Sequence, residues 1–169
     1  MIRYNRLIML HIITGKKNAG KTTKIREILE KNPEAHGFYA EKVVDCGRVT
    51  TYNMVDVQSG EKETLARLAS LPLLKNWEDD FLHGPFRFSY SGFQWAMERF
   101  EQAQRMGAQT FFIDELGKLE LNGKGHAPLI EKALQSQMTL YIAIRDINVN
   151  AAIEKFSIQE HVLIATENE

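Results

Sequence analysis

The chain of 169 residues has a single cysteine, Cys46. That excludes an intrachain disulfide and a cysteine-built zinc centre, and a lone thiol suits a reducing cytosol, so the expected location is cytoplasmic. Cys46 itself reads as a partly buried bystander, because thiol reactivity needs a special environment. Proline is scarce, with four residues. No Pro- or Gly-rich linker, internal repeat or low-complexity tract interrupts the sequence, so one domain over 1–169 is expected. An excess of one charge is also missing. Against 21 basic residues stand 22 acidic ones, so no global positive field marks nucleic acid as a partner. No apolar run reaches the length of a membrane span, and no membrane association is expected. The nearest thing to a targeting signal is Arg3 and Arg6 ahead of the mostly apolar Leu7 to Ile13. That run is short, contains His11 and lacks a small-residue cleavage site, so it reads as a buried strand.

What is present is an alternation of short apolar runs and amphipathic stretches. Leu7 to Ile13 is apolar on both faces, as a central parallel strand should be. Lys24 to Lys31 is helix-compatible, with Ile25, Ile28 and Leu29 on one face and a stop near Asn32-Pro33. Gly37 to Val44 and Val49 to Val57 read as strands around Asp45-Cys46-Gly47, a possible antiparallel hairpin. Glu61 to Leu71 reads as a short helix or an irregular excursion, and Leu71 to Pro85 shows no clear pattern. Phe86 to Tyr90 is a short strand candidate. Ser91 and Gln94 form a capping-box pattern for a helix that carries Phe93, Ala96, Met97, Phe100 and Ala103 at helical spacing and stops at Gly107. Thr110 to Ile113, Leu140 to Ile144 and His161 to Ala165 read as strands. Pro128 suits the first turn of a helix to about Ser136, and Asn148 to Phe156 reads as another. This order predicts an α/β fold of three layers on a mainly parallel sheet, with the ligand beyond the carboxyl ends of the strands.

One motif stands in that frame. Gly15-Lys16-Lys17-Asn18-Ala19-Gly20-Lys21-Thr22 fits G-x-x-x-x-G-K-[ST] at every fixed position, between an apolar strand and a helix. Glycine allows the backbone to approach phosphate oxygens closely, and successive amides backed by the helix dipole point at the anion. The predicted nucleotide-binding residues are therefore Gly15 to Thr22 together with Thr23. Lys21 reaches the β- and γ-phosphates of a nucleoside triphosphate, and the Thr22 hydroxyl ligates Mg²⁺. The apolar Phe111-Phe112-Ile113 ends in Asp114-Glu115. Asp114 is the second organiser of Mg²⁺, and Glu115, turned away from it by strand alternation, is placed to orient the attacking water. The alternative, a strand capped by two surface charges, stays open. So do the roles of Lys118 and Glu120, either facing the γ-phosphate or simply solvated. Arg145 follows a strand and therefore lies at the ligand edge. There it either stabilises charge on the transferred phosphoryl group, as a third catalytic residue beside Lys21 and Glu115, or pairs with Asp146 or faces solvent.

The pattern resembles the small phosphate-loop nucleoside-triphosphatases of the cancer-related type. Beyond the loop the resemblance rests on Gly37-Phe38-Tyr39-Ala40-Glu41, on Phe111 to Leu121 with its Asp-Glu-Leu-Gly-Lys-Leu-Glu-Leu core, and on their spacing. It implies the P-loop NTPase fold and Mg²⁺-dependent hydrolysis of nucleoside triphosphates to diphosphate and phosphate, with broad base tolerance. Two departures are visible. Relatives often carry a small residue or proline and an extra glycine where this chain has Lys16, Lys17 and Asn18. The block usually written Gly-Phe-Tyr-Thr-Glu-Glu-Val-Arg here ends Lys42-Val43-Val44, without the arginine. Two other functions use the same loop: a nucleoside or nucleotide kinase, and a non-hydrolysing nucleotide-binding adaptor.

Overall fold

The computed structural model describes residues 9–166. Arg3, Arg6 and the first two residues of the expected opening strand, Leu7 and Ile8, lie outside the described residues. The elements are β1 (Leu10–Gly15), α1 (Lys21–Glu30), β2 (His36–Asp45), β3 (Arg48–Asp56), β4 (Lys62–Leu68), β5 (Asp80–His83), β6 (Phe86–Ser89), α2 (Tyr90–Arg105), β7 (Thr110–Leu116), α3 (Lys118–Leu121), α4 (Ala127–Leu134), β8 (Thr139–Arg145), α5 (Val149–Lys155) and β9 (Val162–Ala165). Among the described residues no helix is long and apolar enough to cross a membrane.

All nine strands form one sheet, in the order β5-β6-β4-β3-β2-β7-β8-β1-β9. The half from β2 to β9 is parallel, and β8 lies between β1 and β7. From β2 outward through β3, β4, β6 and β5 every pairing is antiparallel. The expected hairpin is β2–β3, but it opens a larger antiparallel extension.

Alternation along the apolar strands sends neighbours to opposite faces. Ile13, Phe112 and Ala143 meet Ile25 of α1 on one face. Ile12, Phe111, Ile113 and Ile142 meet Phe100 of α2, Ile130 of α4 and Ala152 of α5 on the other. Phe111 and Phe112 are both fully buried, each contributing roughly 1.5–3 kcal/mol of apolar burial. Gly37 has φ +125°, and a Cβ there would collide with the Phe112 backbone. Only glycine lets β2 lie this close to β7.

Four local expectations are corrected. Lys62–Leu68 is a strand, not a helix or excursion. Its Leu, Ala, Lys and Glu favour helix, but pairing with β3 and β6 and burial of Ala66 and Leu68 override that preference. Leu71 to Pro85 contains strand β5. The α2 cap is Ser89, whose Oγ accepts from Gly92 N at 3.1 Å, not Ser91, and Gln94 bonds to Glu98. Cys46 is exposed, with φ 47° in the tight β2–β3 turn.

Candidate active site

The turn between β1 and α1 carries the motif. Asn18 (φ 62°) and Gly20 (φ 79°) are both left-handed. Helix α1 starts at Lys21, three residues earlier than its apolar pattern suggests, and no side chain caps it. Its first amides are therefore left for an anion. A Cβ on Gly15 would collide with Thr166, which bonds to Thr14 O as the chain leaves β9. Ala19 is buried, whereas Lys16, Lys17, Asn18 and Thr23 are exposed. Lys21 is 7% exposed. Its ammonium donates to Lys16 O at 3.0 Å and Gly15 O at 3.4 Å, folded back over the loop.

Strand β7 brings the acids to this loop. The buried Asp114 accepts through Oδ2 from Thr22 Oγ1 at 2.8 Å and from Ala40 N at 2.9 Å, tying β7 to α1 and β2. Burial pushes its carboxyl up to about 6; those two hydrogen bonds work against the rise, Glu115 adds to it and Lys21 opposes it. The β7–β8 register shifts between Asp114 and Leu116, so Glu115 has no partner residue on β8, and the Asp114–Glu115 peptide is cis. Glu115 is exposed, and among the described residues no hydrogen bond holds its carboxylate. Its charge reaches Asp114, Glu120 and Tyr52.

Arg145 ends β8 in register with Gly15. Because β8 lies between β1 and β7, the backbone of Arg145 stands between the strands that carry the loop and the acids, and its charge reaches Tyr52. Its Nε is buried without a partner among the described residues, and no ion pair with Asp146 forms. Asp146 instead accepts from Ile147 N at 2.8 Å.

The other open residues resolve differently. Lys118 is exposed. Glu120 does not face the phosphate site. It is buried, its Oε2 accepting from Gly117 N at 2.9 Å and its Oε1 from His126 N at 3.0 Å, which locks the connection from α3 to α4. Burial raises its carboxyl to about 7, against the pull of those amides. Glu41 pairs with Lys62 at 2.7 Å and Asn53 at 3.3 Å, and the Lys62 bond leads in lowering its pKa. The structure adds residues the sequence did not single out: the Ala40 amide on Asp114, Tyr52 near Glu115 and Arg145, and Lys42, which donates to Asn18 Oδ1 at 2.9 Å.

Thr22 and Asp114 are hard oxygen donors already 2.8 Å apart, which fits a divalent cation. No cluster of three His, Cys, Asp or Glu side chains exists among the described residues. A cation held here would take its other ligands from phosphate oxygens and water, the habit of Mg²⁺.

A protein-family model described as NTPase matches residues 11–168. The chain belongs to this NTPase family. Similar members include the nucleoside-triphosphatase THEP1 of Archaeoglobus fulgidus, 27% identical over 76% of this chain and 73% of that protein. THEP1 of Thermotoga sp. strain RQ2 is 25% identical over 94% and 86%. Among solved NTPase structures, the crystal structure of THEP1 from Aquifex aeolicus matches with a TM-score of 0.71 at 25% identity, covering 94% of this chain and 90% of that one. A human cancer-related nucleoside triphosphatase shares the fold at a TM-score of 0.71 and 22% identity, covering 95% and 90%.

Proposed function

We propose that the chain is an Mg²⁺-dependent nucleoside-triphosphatase that acts in the cytoplasm, releasing phosphate and a nucleoside diphosphate. Hydrolysis of nucleoside triphosphates is the activity named by its family and its relatives. The observation that carries the site reading is the Thr22–Asp114 hydrogen bond, with the unbonded Glu115 beside it and Arg145 opposite Gly15.

In this reading the loop amides and the start of α1 take the phosphate chain. The Lys21 ammonium exchanges the carbonyls of Lys16 and Gly15 for β- and γ-oxygens. Thr22 and Asp114 would hold Mg²⁺, which would supply positive charge against the phosphates. Glu115 orients a water and accepts its proton. The water oxygen bonds to the γ-phosphorus as the bond to the β–γ bridging oxygen breaks, and the electron pair leaves on the diphosphate. Arg145 offsets charge on the transferred group. Asp114 must be ionised to hold the cation, and burial raises its carboxyl in the empty site, so affinity for the cation should fall as pH drops. Phosphate release from ATP, GTP, CTP and UTP, with Mg²⁺ and in chelator, tests the reading. Release undiminished in chelator would defeat the metal assignment, and no release from any triphosphate would defeat the function.

A further inference from the structure

The Lys42 ammonium on β2 donates to the side-chain oxygen of Asn18 in the phosphate loop at 2.9 Å. Both residues are exposed, and among the described residues Lys42 is in no ion pair. They lie in the two stretches where the sequence departs from the pattern it resembles. The neighbouring acid, Glu41, points to the opposite face of β2 and is taken by Lys62 at 2.7 Å. Two residues before Lys42 the Ala40 amide is bonded to Asp114, so Lys42 stands about 7 Å farther along the same strand. Tyr52 on β3 is its cross-strand partner. The charges of Glu115 and Arg145 both act on the Tyr52 phenol, so this part of the β2–β3 hairpin looks on the same centre as the loop. A groove of about 260 Å³ runs here between the loop and the antiparallel extension. Its lining holds Lys17, Lys42 and Arg48 and, among the described residues, no carboxylate. The Lys42 ammonium thus rests at the rim of an anion-binding loop on a neutral amide oxygen, a weaker partner than an ionised phosphate oxygen.

We propose that Lys42 is a substrate-binding residue: when a triphosphate fills the loop, its ammonium leaves Asn18 for an oxygen of the terminal phosphate. The inference rests on the reading that seats this phosphate between the loop and Glu115. Asn18 is then a rest that keeps the long side chain over the loop before the nucleotide arrives. Lys21 grips the phosphates from within the loop and Lys42 from the β2 side, so the terminal phosphate is held from two directions. A diphosphate ends one phosphate short of Lys42 and forgoes the contact. Lys42 therefore discriminates substrate from product.

The test uses the full chain with Mg²⁺ and compares, by calorimetry, its affinity for a non-hydrolysable ATP analogue and for ADP. Lys42→Ala should weaken analogue binding by roughly tenfold, through loss of a charge-assisted contact, and leave ADP binding close to wild type. Lys42→Arg keeps the charge and should recover most of the loss. Lys42→Glu should bind the analogue more weakly than Lys42→Ala, because its carboxylate repels the phosphate. A residue that only braced the loop would, when removed, weaken both nucleotides alike, since both occupy the loop. Equal losses for the two nucleotides, or an undiminished analogue affinity, would overturn the proposal. Lys21→Ala, measured alongside, separates that result from failure of the site itself. If Lys21→Ala also leaves both affinities unchanged, the loop is not the phosphate site. If it weakens both while Lys42→Ala does not single out the analogue, the site stands and only the role of Lys42 falls.

Discussion

Replacing Glu115 by glutamine removes a base and a charge while keeping the side chain's size. Because Glu115 is exposed and held by no hydrogen bond among the described residues, the fold should change by no more than about 0.5 kcal/mol. The effect on chemistry is far larger. A positioned acid–base group contributes roughly 10²–10⁴-fold in rate, about 3–5 kcal/mol of barrier. Binding should not weaken, since the lost carboxylate repels the γ-phosphate; unit charges 4 Å apart repel by about 1 kcal/mol even in water. A second consequence can be read independently. Glu115 helps raise the Asp114 carboxyl, so the acid limb of the residual activity should move to lower pH. The assay is single-turnover phosphate release against pH, with affinity for a non-hydrolysable analogue measured in parallel. Turnover within a few-fold of wild type would refute the assignment. Glu120 is held by two backbone amides and Glu41 by Lys62 and Asn53, so neither stands ready as a substitute. A retained rate would mean that no side-chain base is used.

Lys21→Ala should leave a folded protein whose analogue affinity falls severely, because the β- and γ-oxygens lose their nearest ammonium; unchanged affinity by calorimetry would show the loop is not the phosphate site. Asp114→Asn should depress turnover and the response to added Mg²⁺ together, and a Mg²⁺ titration matching wild type would remove Asp114 from the metal site. His126 bears on stability. Its ring is buried between Phe38 and Phe93 with neither nitrogen partnered among the described residues, and burial lowers its pKa from 6.5 to about 3. A lowered folded pKa gives stability that is present above pH 6.5 and is lost as pH falls toward 3. The loss at pH 5 is about 2 kcal/mol, and urea unfolding at pH 8 and pH 5 should show His126→Phe spared that loss; parallel losses in both proteins would contradict it. Glu120 has the opposite sign. Its folded pKa is raised, so its contribution is present below pH 4.5 and lost as pH rises through about 7; between pH 8 and pH 5 it offsets the His126 loss, and urea unfolding should find Glu120→Gln losing more stability than wild type as pH falls.

The parts of the molecule legible in its sequence are those where chemistry or burial leaves few residue choices. A phosphate loop needs glycine, lysine and threonine at set positions, and a strand buried on both faces, such as Phe111 to Ile113, cannot hide its apolar run. The antiparallel extension was harder because Lys62–Leu68 is written in helix-favouring residues and becomes a strand only through its neighbours on both sides. The carboxylates taught the same lesson. Glu115 and Glu120 stand five residues apart and look alike, yet one projects unbonded beside the loop while the other is claimed by the amides of Gly117 and His126. Those amides come into position only once the connection from α3 to α4 has folded, and nothing local announces them. Arg145 could be placed at the ligand edge, but whether Asp146 would neutralise it depended on the turn after β8.

Strand β2 belongs to both halves of the sheet, but unequally. It pairs with β7 over His36, Gly37 and Phe38 only, and beyond that runs with β3 alone. The nine strands are thus sewn together at one short seam, with Gly37 as its tightest stitch. Past the seam, the amide of Ala40 on Asp114 and the ammonium of Lys42 on Asn18 are the polar threads that still tie β2 to the nucleotide side. Sheets open where the fewest bonds must break together. Here the β2–β7 seam is the narrow backbone joint between the two halves, and α2 reinforces it by packing on β2 and β4 on one side and on α4 on the other.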